Sequence, residues 1–129
     1  MNDEWEKFTG RQFGRKARED VRVTLGKKGN IYLNGKAYDA LGRPAAVELL
    51  FKGNSRIIGL KPTDIRRSNA FTVRNHTAGN YKRISAAAFC QHFRIRPTAT
   101  MLFQDVDIDN SGVMHLDLTN TITVTRGAR

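Results

Sequence analysis

The segment 105–112, Asp-Val-Asp-Ile-Asp-Asn-Ser-Gly, has the sharpest local pattern of chemistry-bearing side chains in the chain. Counted from Asp107, oxygen-bearing side chains stand at loop positions 1, 3 and 5, as in calcium-binding loops. The position that should hold a bidentate glutamate is Leu118, and no helical pattern flanks the segment. The pattern therefore favours a β-hairpin with Val106 and Ile108 pointing inward and the aspartates outward, and we expect no calcium site.

The other reactive residue types predict no catalytic or metal site. The loop 26–29, Gly-Lys-Lys-Gly, lacks the glycine spacing and the following Ser or Thr of a phosphate-binding loop. His76, His92 and His115 have no metal-ligand spacing, and no pair of carboxylates suggests acid–base catalysis. Cys90 falls on the apolar face of a predicted helix, which favours a buried structural thiol over a nucleophile. We expect a protein that is not an enzyme and needs no cofactor.

Basic residues are the stronger functional signal. There are 22 Lys and Arg against 12 Asp and Glu, a formal net charge of +10. Residues 21–62 contain eight basic residues against Asp39 and Glu48, a net charge of +6, whereas residues 71–119 have only +1. Loop lysines beside glycine and asparagine can approach phosphates, and arginines can also read base edges. The residues predicted to contact nucleic acid are Arg22, Lys27, Lys28, Lys36, Lys52, Arg56, Arg66, Arg67, Lys82 and Arg83.

Length and composition predict one compact domain. The chain has 129 residues, of which 40% are hydrophobic, enough to bury a core. Its single cysteine excludes an intramolecular disulfide and any multi-cysteine zinc site. No apolar run approaches the length of a membrane span, and the acidic start is unlike a signal peptide. We therefore expect a soluble cytoplasmic protein whose partner is a polyanion rather than a membrane.

Residues 21–62 alternate between strand and helix patterns. Asn34 is a predicted helix N-cap, Gly42 a predicted helix stop, and Pro44 prevents the helix from continuing. The predicted order is strand 21–25, strand 31–33, helix 34–42, strand 47–51, turn 52–55 and strand 56–60.

Residues 71–119 repeat these landmarks in the same order. Ser85 takes the place of the N-cap, and the helical stripe that follows is Ala86, Phe89, Cys90 and Phe93. Arg96-Pro97 matches Arg43-Pro44. The order favours an internal duplication over two unrelated stretches that share a few small residues. The predicted fold is β-rich α+β, with two tandem β-β-α-β-β repeats forming one pseudo-twofold, barrel-like domain. The predicted buried residues are Val23, Ile31, Leu41, Leu49, Val73, Phe89, Phe93 and Leu116.

The segments outside the two units carry weaker patterns. Residues 1–20 include Trp5, Phe8 and Phe13 without a sustained period, so they are a docking arm for a protein partner or a flexible tail. Residues 63–70 connect the units. Residues 120–129 are predicted to form a final edge strand and a loose tail.

The first unit resembles the AbrB/MazE/SpoVT class of swapped-hairpin DNA-binding domains. The resemblance lies in the strand 23–25, the basic loop 27–29, the short strand 31–33, the helix 36–42 ending in Leu-Gly, and the hairpin 47–60. The chain departs from the class at Asn34, where a proline is usual, and at Lys27 and Lys28, where loop arginines are typical. Members of the class build a barrel from two chains, so the resemblance implies an intramolecular barrel and DNA binding by a transcription regulator.

Three functions fit these observations. The first is a DNA-binding module, a regulator or an antitoxin-like protein, with duplex DNA as the partner. The second is an RNA-binding protein, in which Tyr32, Phe71 and Tyr81 could stack on bases. The third is a non-catalytic scaffold whose charge confers solubility and whose residues 1–20 dock on a partner.

Overall fold

The computed structural model describes residues 21–76 and 80–124. The predicted arm 1–20 and residues 125–129 of the predicted tail lie outside the described residues. The described part contains ten strands and two helices, which are β1 Val23–Leu25, β2 Asn30–Leu33, α1 Gly35–Leu41, β3 Ala46–Lys52, β4 Ile57–Thr63, β5 Phe71–Asn75, β6 Lys82–Ser85, α2 Ala87–His92, β7 Met101–Phe103, β8 Asp107–Ile108, β9 Met114–Asp117 and β10 Thr121–Thr123.

All ten strands join one antiparallel sheet, which curls into a half-barrel. The strand order is β10-β7-β1-β2-β6-β5-β3-β4-β9-β8. The fourth and fifth strands of this order, β2 and β6, pair with each other and so join the N-terminal and C-terminal halves of the chain. The predicted β-rich α+β class is confirmed, and β10 is an edge strand as predicted.

The core lies on one face of the sheet, and residues of both helices belong to it. Strand residues that alternate with polar neighbours are fully buried, such as Ile31 in β2 and Ile84 in β6. Ala37 and Leu41 of α1 and Phe89 of α2 belong to the same cluster. Of the predicted core, the buried residues are Val23, Ile31, Leu41, Phe89 and Leu116. The remaining three, Leu49, Val73 and Phe93, are half-buried and pack against the cluster.

Helix α1 begins and ends at the two residues that the sequence predicts. Asn34 has extended backbone geometry, and its Oδ1 accepts hydrogen bonds from the backbone N–H groups of Ala37, at 2.9 Å, and Arg22, at 3.0 Å. Gly42 closes the helix with φ of 93°, a left-handed conformation that favours glycine. The side chain of Asn34 therefore joins the start of α1 to the residue that precedes β1.

Replacing Asn34 with alanine should lower the free energy of unfolding by about 1–2 kcal/mol, because both backbone donors lose their side-chain acceptor. Asn34→Asp is the matched control, since an aspartate accepts the same bonds and is an equally good N-cap. Urea unfolding of the three proteins measures the difference. Equal destabilisation by Ala and Asp would show that the side-chain oxygen does not stabilise this junction.

The predicted cap of the second helix is wrong. Ser85 is the last residue of β6 and pairs with Asn30 of β2, so its backbone is still extended. The N-cap is Ala86, which has no side-chain acceptor to offer. The helical stripe itself is confirmed, because Ala86, Phe89 and Cys90 are buried and Phe93 packs against the core.

Candidate nucleic-acid interface

A cleft of about 390 Å³ lies between the β1–β2 loop and the chain around α2. The loop contributes Lys27, Lys28 and Gly29. The helix and the segment that follows it contribute Ala87, Cys90, Gln91, Ile95, Arg96 and Pro97. The cleft thus combines residues that are about 60 positions apart in the sequence, since the offset from Lys28 to Ala87 is 59.

The loop is held against α2 by its backbone. The N–H of Gly29 donates to the carbonyl of Gly26 at 3.0 Å, which closes a tight turn with Lys27 and Lys28 at its tip. The carbonyl of Gly29 accepts from the N–H of Ala86 at 3.0 Å, just before α2 begins. Gly29 has φ of 89° and packs so closely that a Cβ atom there would lie 2.7 Å from the Cα of Ala87. This contact positions the two lysines at the mouth of the cleft.

The charge of the cleft is entirely positive. Lys27, Lys28 and Arg96 line it, and none of the described residues that line it is acidic. All three side chains are exposed, and none takes part in an ion pair within residues 21–76 and 80–124. Gln91 adds an amide that can donate or accept hydrogen bonds. Chemically, this arrangement can bind an anion such as a phosphate group.

Cys90 forms part of the cleft wall and is only 4% exposed. Burial raises the pKa of its thiol, so the thiolate is disfavoured at neutral pH. Its neighbours Phe89 and Ile95 are also buried. The residue acts here as a small apolar side chain, in agreement with the structural role predicted from its helical position.

Two of the ten predicted contact residues, Lys27 and Lys28, meet in the cleft, and the others lie elsewhere. Arg66 is exposed but bound by Asp64, whose Oδ2 lies 2.7 Å from Nη2. Arg67 lies 3.9 Å from Glu48. The connector arginines are therefore already paired with acids of the chain, and the Asp64 partnership raises the pKa of Arg66 still further.

The remaining predicted residues are spread over the two halves of the sheet. Lys82 donates to Asn75 at 2.5 Å and stands 5.0 Å from the ring centre of Tyr38. Arg56 lies over Phe51 at 5.5 Å, near the β3–β4 turn. The other four are exposed Arg22 before β1, exposed Lys36 on α1, exposed Lys52 at the end of β3, and half-buried Arg83 in β6.

Sequence reasoning did not name Arg96, Gln91 or Arg74 as contact residues. The match of Arg96-Pro97 with Arg43-Pro44 was a usable signal for a structured segment after α2. No pattern in the neighbouring sequence indicates that this segment faces the 26–29 loop. Arg74 is a candidate only because the register of β5 with β6 places it directly opposite Arg83, so that two basic side chains are neighbours.

The segment 105–112 forms the predicted hairpin. Strands β8 and β9 pair through Asp107 with His115 and Ile108 with Met114. Val106 is buried and Ile108 is half-buried against the core. Asp109 accepts from the N–H groups of Ser111 and Val113 at 2.9 and 3.1 Å, which turns the chain. Among the described residues, no group of three or more His, Cys, Asp or Glu side chains is arranged to hold a metal ion.

The Asp109 carboxylate also accepts from Nε2 of His115 at 2.9 Å. Burial pushes the pKa of Asp109 upward, but the hydrogen bonds from His115, Val113 and Ser111 outweigh it and leave the pKa below its ordinary value. A depressed carboxyl pKa stabilises the fold above the unfolded pKa of about 3.9, and this stability disappears as pH falls through the folded pKa.

Asp109→Asn should therefore lower the free energy of unfolding at neutral pH, by about 1 kcal/mol, and the difference from wild type should shrink below about pH 4. The amide oxygen keeps the turn but loses the charge. His115→Gln should give a similar loss, and the double variant should be no worse than either single one. Urea unfolding across pH measures this, and a constant difference down to about pH 2 would contradict it.

No helix within the described ranges is long and apolar enough to cross a membrane. Comparison of the chain with protein-family models, with curated proteins and with solved structures gives no match.

Proposed function

We propose that the protein binds nucleic acid, with duplex DNA as the favoured partner, and that it acts as a transcription regulator or an antitoxin-like module. The observation that carries this proposal is the cleft in which Lys27, Lys28 and Arg96 converge, with no acidic residue among the described residues that line it. The net charge of +10 adds a long-range attraction to any polyanion.

The residues of the cleft divide between two roles. Lys27 and Lys28 stand on an exposed loop tip and contact phosphates as point charges, which supplies affinity for any sequence. Arg96 has a planar guanidinium that can bind a phosphate or a guanine edge in bidentate fashion. Gln91 has a side-chain amide that could discriminate among bases through hydrogen bonds.

The proposal includes an internal duplication that forms a pseudo-twofold domain. Support comes from the order of strands in the sheet. Outward from the β2–β6 pair, the order is β2-β1-β7 on one side and β6-β5-β3 on the other, so β2 corresponds to β6, β1 to β5 and β7 to β3. The pair Ile31 with Ile84 lies at the centre, and both residues are fully buried. The correspondence ends at the flanks, since β3 is followed in the sheet by β4 but β7 by β10.

This duplicated form is what the AbrB-like proposal requires. The class builds its barrel from two chains, and here two similar halves of one chain would take the place of the two subunits. The turn of each half faces the helix of the other. A Cβ on Gly29 would touch Ala87 at the start of α2, and one on Gly35 at the start of α1 would lie 3.5 Å from Cβ of Asn80.

A binding comparison tests the proposal and separates it from its alternatives. Fluorescence anisotropy of the full chain with duplex DNA, single-stranded DNA and RNA at low and moderate salt should show duplex affinity that falls steeply with salt. Preference for RNA would favour the RNA-binding alternative. Absence of affinity for every nucleic acid at low salt would contradict the proposal and favour the scaffold alternative.

A further inference from the structure

The face of the sheet opposite the core, which we call the convex face, carries a row of residues that the cleft does not use. Thr24 of β1 lies opposite Tyr32 of β2, Tyr32 opposite Arg83 of β6, and Arg83 opposite Arg74 of β5. Their sequence neighbours Ile31 and Ile84 are fully buried, so the four side chains point to the side of the sheet away from the core. We call Tyr32, Arg83 and Arg74 the convex row.

The two arginines of the convex row repel each other when no ligand is bound. Residues directly opposite on antiparallel strands have Cβ atoms about 4.5–5.5 Å apart, and like charges there are destabilising. The Nε atom of Arg83 is buried and has no hydrogen-bond partner among residues 21–76 and 80–124. Neither arginine forms an ion pair within the described ranges. An anion between them would relieve the repulsion and supply an acceptor to the Nε atom of Arg83.

The charge of the surrounding sheet favours such an anion. The six successive strands β10, β7, β1, β2, β6 and β5 contain no Asp or Glu at all. The acidic strand residues, Glu48, Asp107 and Asp117, all lie in β3, β8 and β9 at the other end of the sheet.

An aromatic pair adjoins the arginines. The rings of Tyr32 and His76 meet edge to face, with centroids 5.0 Å apart. Asn30 donates to the hydroxyl of Tyr32 at 3.3 Å, which holds the ring in place. Tyr32 and His76 are both half-buried, so part of each ring remains accessible. A base can stack on such a surface while its phosphate lies between nearby arginines.

We propose that the convex face is a second site, which binds single-stranded nucleic acid. A phosphate lies between Arg74 and Arg83, and an unpaired base packs on the Tyr32–His76 pair. A duplex is a poor ligand for this face, since its bases are stacked inside and not free to meet an aromatic ring. The site goes beyond the duplex-binding cleft and uses none of its residues.

The test measures binding of labelled single strands about 12 nucleotides long, a length suited to such platforms. The probes are oligouridylate, oligothymidylate and an abasic strand, with inorganic phosphate as the free anion in a thermal-shift assay. Arg74→Gln and Arg83→Gln should each weaken binding of both homopolymers by about tenfold. Tyr32→Leu should weaken the homopolymers similarly but leave the abasic strand within about twofold.

Lys61→Gln is the matched control, because it removes one exposed positive charge from β4, where Lys61 lies opposite Glu48. It should change single-strand binding by less than about twofold. The arginine variants should also keep or raise the melting temperature, since each removes the like-charge pair. Comparison of the affinities for oligouridylate and oligothymidylate shows whether the site prefers an RNA or a DNA strand.

Three results would overturn the proposal. One is equal loss of binding in Lys61→Gln and in the arginine variants, which would mean that only net charge matters. Another is that duplex DNA competes fully with the single strand and that Lys27→Ala/Lys28→Ala removes single-strand binding. Together these two observations would assign both ligands to the cleft. The third is the absence of single-strand and phosphate binding at low salt, whatever the melting temperatures of Arg74→Gln and Arg83→Gln.

Discussion

Replacing Gly29 with alanine is expected to lower the free energy of unfolding by about 2–4 kcal/mol. The residue has φ of 89°, and a side chain in this left-handed region costs about 1–2 kcal/mol. The added Cβ would also lie 2.7 Å from Cα and 3.2 Å from N of Ala87, which are backbone atoms that cannot move aside cheaply. Forced overpacking of this kind costs about 1–3 kcal/mol.

Gly42→Ala separates these two costs. Gly42 has nearly the same backbone geometry, with φ of 93°, but nothing lies within 4 Å of the position of its Cβ. Its replacement should cost only the conformational part, about 1–2 kcal/mol. Chemical denaturation of the two variants gives the difference. If both changes cost the same, the close approach of the 26–29 loop to α2 is not present, and the cleft loses its structural basis.

The sequence predicted those parts of the fold that depend on neighbouring residues. Asn34 and Gly42 bound α1 because capping is local, and the turn at 109–112 follows from Asp109 and Gly112. Ser85 failed as a cap because a tertiary contact decided its conformation. Its pairing with Asn30, on a strand from the other half of the chain, keeps it extended.

The two proposed binding surfaces were harder to predict from the sequence, because each is formed by segments that are distant in the chain. Lys27 and Lys28 were found through composition, but Arg96 reaches the same cleft only because Gly29 packs on Ala87. Arg74 and Arg83 are nine positions apart, and only the β5–β6 register makes them opposite neighbours. Charge counting identifies candidate residues, whereas strand register and loop docking decide which of them act together.

The second large effect is expected from replacing Lys27 and Lys28 together by alanine. Both side chains are exposed at the tip of the loop, so the change should leave the fold intact. Duplex affinity at low salt should fall at least about tenfold, and by a similar factor for unrelated sequences, because phosphate contacts carry no base information. Arg83→Ala should weaken duplex binding less than the lysine pair, because Arg83 lies outside the cleft.

The control for net charge is Lys52→Ala/Lys61→Ala. These two lysines are also exposed, lie on β3 and β4, and do not line the cleft. The variant has the same charge as Lys27→Ala/Lys28→Ala, so any difference between them reports position. We expect the control to retain duplex affinity within about threefold of wild type.

The most direct test of duplex binding by the cleft is a salt titration of duplex affinity for wild type and these two double variants. Each phosphate contact contributes about 0.9 to the slope of log affinity against log salt. We expect the slope to become shallower by about two in Lys27→Ala/Lys28→Ala and to stay near the wild-type value in Lys52→Ala/Lys61→Ala. Equal slopes in the two variants, or a wild type with no duplex affinity at low salt, would contradict it.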